Sequence, residues 1–208
     1  MAERKNLIAE QFDTLEQQKE ASTLGMWTFL ATEVLFFGVL FMSYIVLRSL
    51  YPQGFVEGSH ATNHFYGTIN TAILLTSSLT MALAVHAAKL SQTKTIQRML
   101  VLTIFLAFGF LVVKGFEYHE DFTKHLVPGK SFALANKAEL FFYLYWAMTG
   151  LHAIHVIIGI VLLSILFLMA RQDKFSERYH NPVEIGGLYW HFVDIVWIFL
   201  YPLLYLIR

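Results

Sequence analysis

The stretch that decides the fold runs from Leu140 to Ala170 and reads LFFYLYWAMTGLHAIHVIIGIVLLSILFLMA. It contains no Asp, Glu, Lys or Arg, and it exceeds the roughly 20 apolar residues that cross a bilayer as a helix. A helix of this length has to tilt or to project beyond the membrane. The stretch therefore predicts a transmembrane helix and an integral membrane protein.

The chain holds four more apolar stretches of spanning length: Leu24 to Leu47, Phe65 to Ala88, Met99 to about His119, and Ile185 to Ile207. The third reaches spanning length only when Lys114 and Glu117 are included. No alternation of period two between turn signals is present, which disfavours a membrane β-barrel. We predict an all-α integral membrane bundle of five transmembrane helices, over about 24–48, 65–89, 97–119, 139–171 and 184–207.

The segments outside these helices are short and polar. Residues 1–23 lack an apolar segment and a cleavage site, and predict a cytoplasmic N-terminal segment rather than a signal peptide. Residues 49–64, with Pro52 and two glycines, and residues 119–138, with a Pro-Gly pair, have the composition of loops. We therefore predict that residues 24–208 form one five-helix transmembrane domain.

The overall composition excludes several classes of protein. Apolar residues make up 56% of the 208 residues and charged residues 14%, whereas a soluble domain carries about 25% charged residues. Lys plus Arg and Asp plus Glu are equal at 15 each, so no excess of positive charge indicates binding of nucleic acid. The chain has no cysteine, which excludes disulfides and thiolate metal sites.

The distribution of Lys and Arg predicts the orientation of the chain. If the N-terminus is inside, the inner side carries Arg4, Lys5, Lys19, Lys89, Lys94, Arg98, Arg171, Lys174 and Arg178. The outer side then carries the smaller set Arg48, Lys114, Lys124, Lys130, Lys137 and Arg208. Because cytoplasmic segments hold an excess of Lys and Arg, we predict a cytoplasmic N-terminus and a periplasmic C-terminus.

Glu33 is an acid at membrane depth. It lies nine residues into the first predicted helix, which at about 1.5 Å per residue corresponds to a depth of roughly 14 Å. A charged acid at the membrane centre costs about 2.5–3.5 kcal/mol on insertion scales. Two interpretations stay open: a proton-handling or lipid-facing acid, or a carboxyl group hydrogen-bonded to a neighbouring helix.

The last predicted helix carries a second set of polar residues. His191 precedes Asp194 by three residues and therefore shares its face, and Glu184 lies on nearly the same stripe at the membrane surface. One interpretation is a polar track from the cytoplasmic face. The other is a structural hydrogen bond between His191 and Asp194 that fixes this helix in the bundle.

His152 and His155 lie one turn apart in the fourth predicted helix. A metal site would need further ligands from other helices at the same depth, and His191 is the only plausible one. We therefore predict no metal site and expect these histidines to bond to other helices or to lipid headgroups.

The end of the third predicted helix is acidic, with Glu117, Tyr118, Glu120 and Asp121. We expect a solvated helix end, with docking onto a partner subunit as the alternative.

Five sequence motifs together resemble one family. The segment from Glu184 to Tyr201, EIGGLYWHFVDIVWIFLY, resembles the last helix of subunit III of the haem–copper terminal oxidases, whose Trp-His-Phe-Val-Asp signature is present at Trp190 to Asp194. The other motifs match in order: GMWTFLATEVLFF from Gly25, NTAILLTSSLT from Asn70, Glu117-Tyr118, and TGLHAIHV from Thr149. The resemblance covers about residues 24–207 and all five predicted helices.

The resemblance implies the five-helix bacterial form of subunit III in the cytoplasmic (inner) membrane. Two further helices of the longer members would be absent or fused to subunit I. It implies a complex with subunits I and II that reduces oxygen to water and pumps protons. Haems and copper would reside in the partner subunits, with none in this chain, which would bind phospholipid and support proton uptake and durability during turnover.

The resemblance also suggests residue roles, none of them catalytic. Glu33 corresponds to the buried, carbodiimide-reactive acid of the family. The other matching positions have structural or lipid-related roles there: Glu117, His152, His155, Glu184, Trp190, His191 and Asp194. The sequence Phe-Leu-Tyr-Pro ending at Pro202 looks like the branch that uses cytochrome c as electron donor. A quinol oxidase and a nitric-oxide-reductase-associated homologue remain alternatives.

Overall fold

The computed structural model describes residues 11–129, 132–134, 137–173, 175 and 179–207. These ranges contain six helices and no β-strand: α1 Leu15–Leu50, α2 Pro52–Ala61, α3 His64–Lys89, α4 Thr93–Thr123, α5 Ala138–Arg171 and α6 Asn181–Tyr205. All except α2 are long and apolar enough to cross a membrane. The predicted all-α class and the count of five spanning helices are confirmed, whereas the orientation of the termini stays a prediction.

Polar residues define where several helices begin. The Thr14 side chain accepts a hydrogen bond from the Gln17 backbone N–H and caps α1, because the first N–H groups of a helix lack partners within it. The spanning helix α1 therefore starts before Leu24 and includes polar residues. The first ten residues of the predicted N-terminal segment lie outside the described ranges, as do Lys130, Lys174, Arg178 and Arg208 of the charge count.

The prediction of a loop over residues 49–64 was wrong, because α2 occupies most of this segment. Pro52 stands at the first helical position. A backbone N–H at this position has no partner within the helix, so its absence in proline costs no hydrogen bond. Gly58 packs against Phe141 so closely that an added Cβ would lie 2.4 Å from the ring. The glycine thus serves close helix packing rather than a turn. The predicted loop over residues 119–138 also begins later than expected, because α4 continues as far as Thr123.

Helices α3 to α6 form the body of the bundle, and α1 packs on one side of it. Helix α3 contacts α4 and α6, α5 contacts the same two helices, and α1 contacts α5, α6 and α2. The outward face of α1 exposes large apolar side chains such as Trp27, Leu35 and Val39. An apolar outer surface of this kind is typical of a helix that faces lipid or another membrane subunit.

Indole groups of α6 bond to hydroxyl groups of α3. The Trp190 indole N–H donates to the Ser77 hydroxyl at 3.0 Å, and the Trp197 indole N–H donates to the Thr71 hydroxyl at 3.0 Å. Each buried indole therefore has the partner that its N–H requires, and the two bonds fix α3 and α6 antiparallel to each other.

Candidate functional site

Glu33 of α1 and His155 of α5 form a pair across the interface of the two helices. The His155 Nε2 atom lies 3.1 Å from the Glu33 carboxyl Oε2 atom. The other ring nitrogen, Nδ1, lies 2.8 Å from the Leu151 carbonyl oxygen. Because a carbonyl only accepts, Nδ1 must carry a hydrogen. The Nε2 atom and the Glu33 carboxyl group are then joined by one hydrogen bond, in which either group can be the donor.

This pair lies at the edge of the bundle rather than in its centre. The side chains of His155 and Glu33 are 13% and 19% exposed. The Phe37 ring packs edge-on against the imidazole at 5.3 Å between centroids, and the Tyr189 hydroxyl donates to the His155 carbonyl oxygen at 3.0 Å. Glu33 thus makes the hydrogen bond to a neighbouring helix that one interpretation of the sequence expects, and a proton-handling or lipid-facing role stays a prediction.

His152 and His155 face different surroundings although they are one turn apart. His152 is fully buried between the rings of Phe110 and Trp197, at centroid distances of 5.4 and 5.2 Å. Neither of its ring nitrogens has a hydrogen-bond partner within the described ranges. The two histidines therefore do not form one site. Among the residues that the structure describes, no group of three or more His, Asp or Glu side chains is arranged to hold a metal ion.

His191 and Asp194 do not pair with each other. The His191 Nδ1 atom lies 2.8 Å from the Ser78 hydroxyl. Asp194 is 3% exposed, and its carboxyl oxygens make no hydrogen bond of full geometry among the residues that the structure describes, although the Ser78 side chain lies close enough to interact with the carboxyl group. Of the two interpretations, the structural His–Asp bond was wrong: Ser78 of α3 takes the place of Asp194 as the partner of His191.

Glu184 and Trp190 both connect α6 to other helices. The Glu184 carboxylate lies 3.0 Å from the Lys89 ammonium at the end of α3 and 3.7 Å from the His180 ring. Trp190 is fully buried, and its ring occupies the space beside Gly159 of α5, where an added Cβ would lie 2.5 Å from it. Both residues therefore hold the bundle together in this structure.

The expectation of a solvated acidic end of α4 was wrong for Glu117 and Asp121. These residues are 1% and 2% exposed, and the Lys114 side chain is equally buried. The Lys114 ammonium donates to Glu117, Tyr145 and Tyr205 at 3.0, 3.1 and 2.8 Å. Sequence reasoning did not find this buried cluster. The spacing i, i+3, i+7 of its three charged members along one helix face was the available signal.

Glu120 alone of the acids in this segment points away from the cluster into a partly exposed position. Its carboxylate lies 2.5 Å from the Lys124 ammonium and accepts a hydrogen bond from the Asn63 amide at 3.2 Å. An exposed pair of this kind contributes about 0–1 kcal/mol to stability.

A groove of about 860 Å³ separates the N-terminal part of α1 from α5 and from the start of α6. One wall consists of apolar residues of α5, among them Ile158 and Ile165. Lys19, Ser22 and His180 supply polar groups at the rim. On α1, the groove is lined by residues between Leu15 and Ser22.

These features define a multi-pass membrane protein whose buried polar side chains join helices. The sequence model of the family described as Cytochrome c oxidase subunit III matches residues 10–207. The chain belongs to this family, and so it is subunit III of a haem–copper oxidase, an oxidoreductase complex that contains other subunits.

Individual relatives agree with this assignment. The chain is 31% identical to "Cytochrome c oxidase subunit 3" of Thermostichus vulcanus over 94% of this chain and 92% of the relative. It is 30% identical to the protein of the same description from Corynebacterium diphtheriae, over 98% and 97% of the two chains. It is also 31% identical to "Heme-copper oxidase subunit I+III" of Aeropyrum pernix, over 98% of this chain and 25% of that longer protein.

Proposed function

We propose that this chain is an accessory, non-redox subunit that packs on subunit I and supports proton uptake by the oxidase. The complex would use cytochrome c to reduce oxygen to water, with its haems and copper in subunits I and II. The names of the bacterial relatives support cytochrome c as the donor. The reaction that the purified complex catalyses distinguishes this proposal from the two alternatives, a quinol oxidase and a nitric oxide reductase.

The observation that carries the proposal is the 3.1 Å contact between the Glu33 carboxyl group and the His155 Nε2 atom, with the Nδ1 atom held by the Leu151 carbonyl oxygen. A proton relay needs a group that can accept and release a proton without a large rearrangement. The pair meets this requirement because Glu33 and the Nε2 atom exchange roles as donor and acceptor over 3.1 Å. Its partial exposure at the α1 surface gives access from a partner subunit or from water at that surface.

Phospholipid binding is the second part of the proposal, and the groove beside α1 supports it. Its volume of about 860 Å³ falls in the range of about 300–1,000 Å³ that ligand pockets occupy. An acyl chain fits the aliphatic wall of α5, and the Lys19 ammonium, which lines the groove together with Glu16, suits the phosphate of a headgroup. A lipid in this groove would also hold α1, the helix that carries Glu33, against α5.

Affinity purification of the tagged chain in mild detergent tests the proposal. A reduced-minus-oxidised spectrum of the eluate should show haem, larger partner subunits should be present, and the eluate should oxidise cytochrome c with oxygen. A colourless eluate that contains the intact chain without partners would contradict the proposal. Oxidation of quinol but not of cytochrome c would correct the donor alone.

A further inference from the structure

The buried cluster on α4, α5 and α6 has a role that neither its packing nor the family assignment explains. It consists of Lys114, Glu117 and Asp121 from α4, Tyr145 from α5 and Tyr205 from α6. Lys114 uses all three of its N–H groups, on the Glu117 Oε2 atom and on the two tyrosine oxygens. The hydrogen bonds between the tyrosine and carboxyl oxygens therefore need hydrogens from the tyrosines or the acids themselves.

Three oxygen–oxygen contacts of hydrogen-bond length occur in the cluster. The Tyr145 hydroxyl lies 2.9 Å from the Glu117 Oε1 atom and 2.8 Å from the Asp121 Oδ2 atom. The Tyr205 hydroxyl lies 2.6 Å from the Glu117 Oε1 atom. Each contact needs one hydrogen, and each phenol supplies only one. Two phenols thus fill two contacts with a hydrogen each, and a carboxyl group that keeps its hydrogen would fill the third.

The contacts of the two acids indicate where this third hydrogen resides. Glu117 contacts the Lys114 ammonium directly, so an ionised Glu117 and Lys114 compensate each other's charge. Within the described ranges, Asp121 bonds only to the Tyr145 hydroxyl. An ionised Asp121 would therefore leave a buried negative charge without a contacting cation, which is costly. A hydrogen on Asp121 fills the contact with Tyr145 and makes the cluster electrically neutral.

We propose that this cluster is a proton-binding site that holds one exchangeable proton on Asp121. The hydrogen passes along the chain Asp121 to Tyr145 to Glu117, with Tyr205 as the second donor to Glu117. This proposal does not rest on the roles of Glu33 or of lipid, because it uses other residues on other helix faces.

Asp121 is the member through which the proton exchanges with water. It lies two residues before the end of α4 at Thr123, close to the exposed Lys124, whereas Glu117 and Lys114 lie about one and about two turns deeper. The charged and titratable groups that face it are Lys114, Glu117, Tyr118 and Lys124 from α4 and its end, Tyr145 from α5 and Tyr205 from α6. If the predicted orientation holds, the site is on the periplasmic side of the membrane.

Infrared difference spectroscopy of the purified full-length chain tests the proposal. Spectra recorded between acidic and alkaline pH should contain a carboxylic-acid C=O band that shifts in heavy water. In Asp121→Asn, one such band should be lost. Glu120→Gln is the matched control, because it removes the neighbouring, partly exposed acid, and it should keep the band. The same set of acid bands in Asp121→Asn and in the unmodified chain would overturn the proposal.

Thermal unfolding distinguishes the protonated acid, Asp121, from the ionised acid, Glu117, without any assignment of infrared bands. Asp121→Asn should keep the melting temperature, since the amide N–H donates to Tyr145 as the protonated acid does. Glu117→Gln should lower it, since it removes the counter-charge of Lys114. The reverse order would overturn the proposal. Tyr145→Phe serves as a second spectroscopic variant: it should shift the Asp121 band, and an unshifted set of acid bands would contradict the assignment.

Discussion

Glu33 on α1 and His155 on α5 lie 3.1 Å apart between Oε2 and Nε2, while the other imidazole nitrogen is held by the Leu151 carbonyl of its own helix. The Leu151 bond fixes the ring so that Nε2 faces Glu33. The acid and the imidazole therefore form one hydrogen-bonded pair across the interface of α1 and α5.

We predict that His155→Asn reproduces the effect of Glu33→Gln on proton pumping and that the two changes are not additive. Residues that share one hydrogen bond have coupled effects, whereas independent sites add. The measurement is the proton-to-electron ratio of the reconstituted oxidase for both single variants and the double variant. A double variant whose loss equals the sum of the two single losses would show that the residues act separately.

A second prediction concerns the contact between Gly159 and Trp190. Gly159→Ala should lower the stability of the bundle by about 1–3 kcal/mol, because a Cβ at 2.5 Å from the ring forces the buried indole to move. Gly150→Ala on the same helix is the control, because nothing lies within 4 Å of its added Cβ. Thermal unfolding in detergent measures both, and equal melting temperatures would contradict the packing described here.

A third prediction concerns the buried charge of Lys114. Lys114→Met should destabilise the chain by about 3–5 kcal/mol, because it leaves Glu117 buried without its cation. The double change Lys114→Met with Glu117→Leu should recover part of this loss, since it removes both charges. Chemical unfolding of the three proteins decides this, and a double variant less stable than Lys114→Met would exclude charge compensation as the cause.

A fourth prediction concerns the groove beside α1. Lys19→Glu should lower the amount of anionic phospholipid that co-purifies with the chain by several-fold, because it places a negative charge at the rim beside the headgroup. Lys94→Glu, an exposed change at the start of α4, is the matched control. Mass spectrometry of the retained lipid provides the measurement, and equal retention by both variants would argue against the assigned headgroup position.

The five spanning helices were predictable from the sequence because hydropathy is a local property of each stretch. Helix α2 was not, since the close packing of Gly58 depends on Phe141, a residue far along the chain. The cluster around Lys114 was missed for a related reason: its two tyrosines come from other helices. The pairing of Glu33 with His155 and the replacement of Asp194 by Ser78 also required the arrangement of the helices. The packing of the helices therefore determines which polar residues contact each other, and the spacing of these residues along the sequence does not.

Turnover of the Glu33→Gln complex tests most directly whether the Glu33–His155 pair supports proton uptake by the oxidase. Glu20→Gln, an exposed acid on the same helix, is the control. The measurement is the number of turnovers before inactivation together with the proton-to-electron ratio, at matched haem content. We predict that Glu33→Gln assembles normally and loses several-fold in turnover lifetime or pumps fewer protons, while Glu20→Gln does neither. Unchanged pumping and unchanged inactivation in Glu33→Gln would contradict the account.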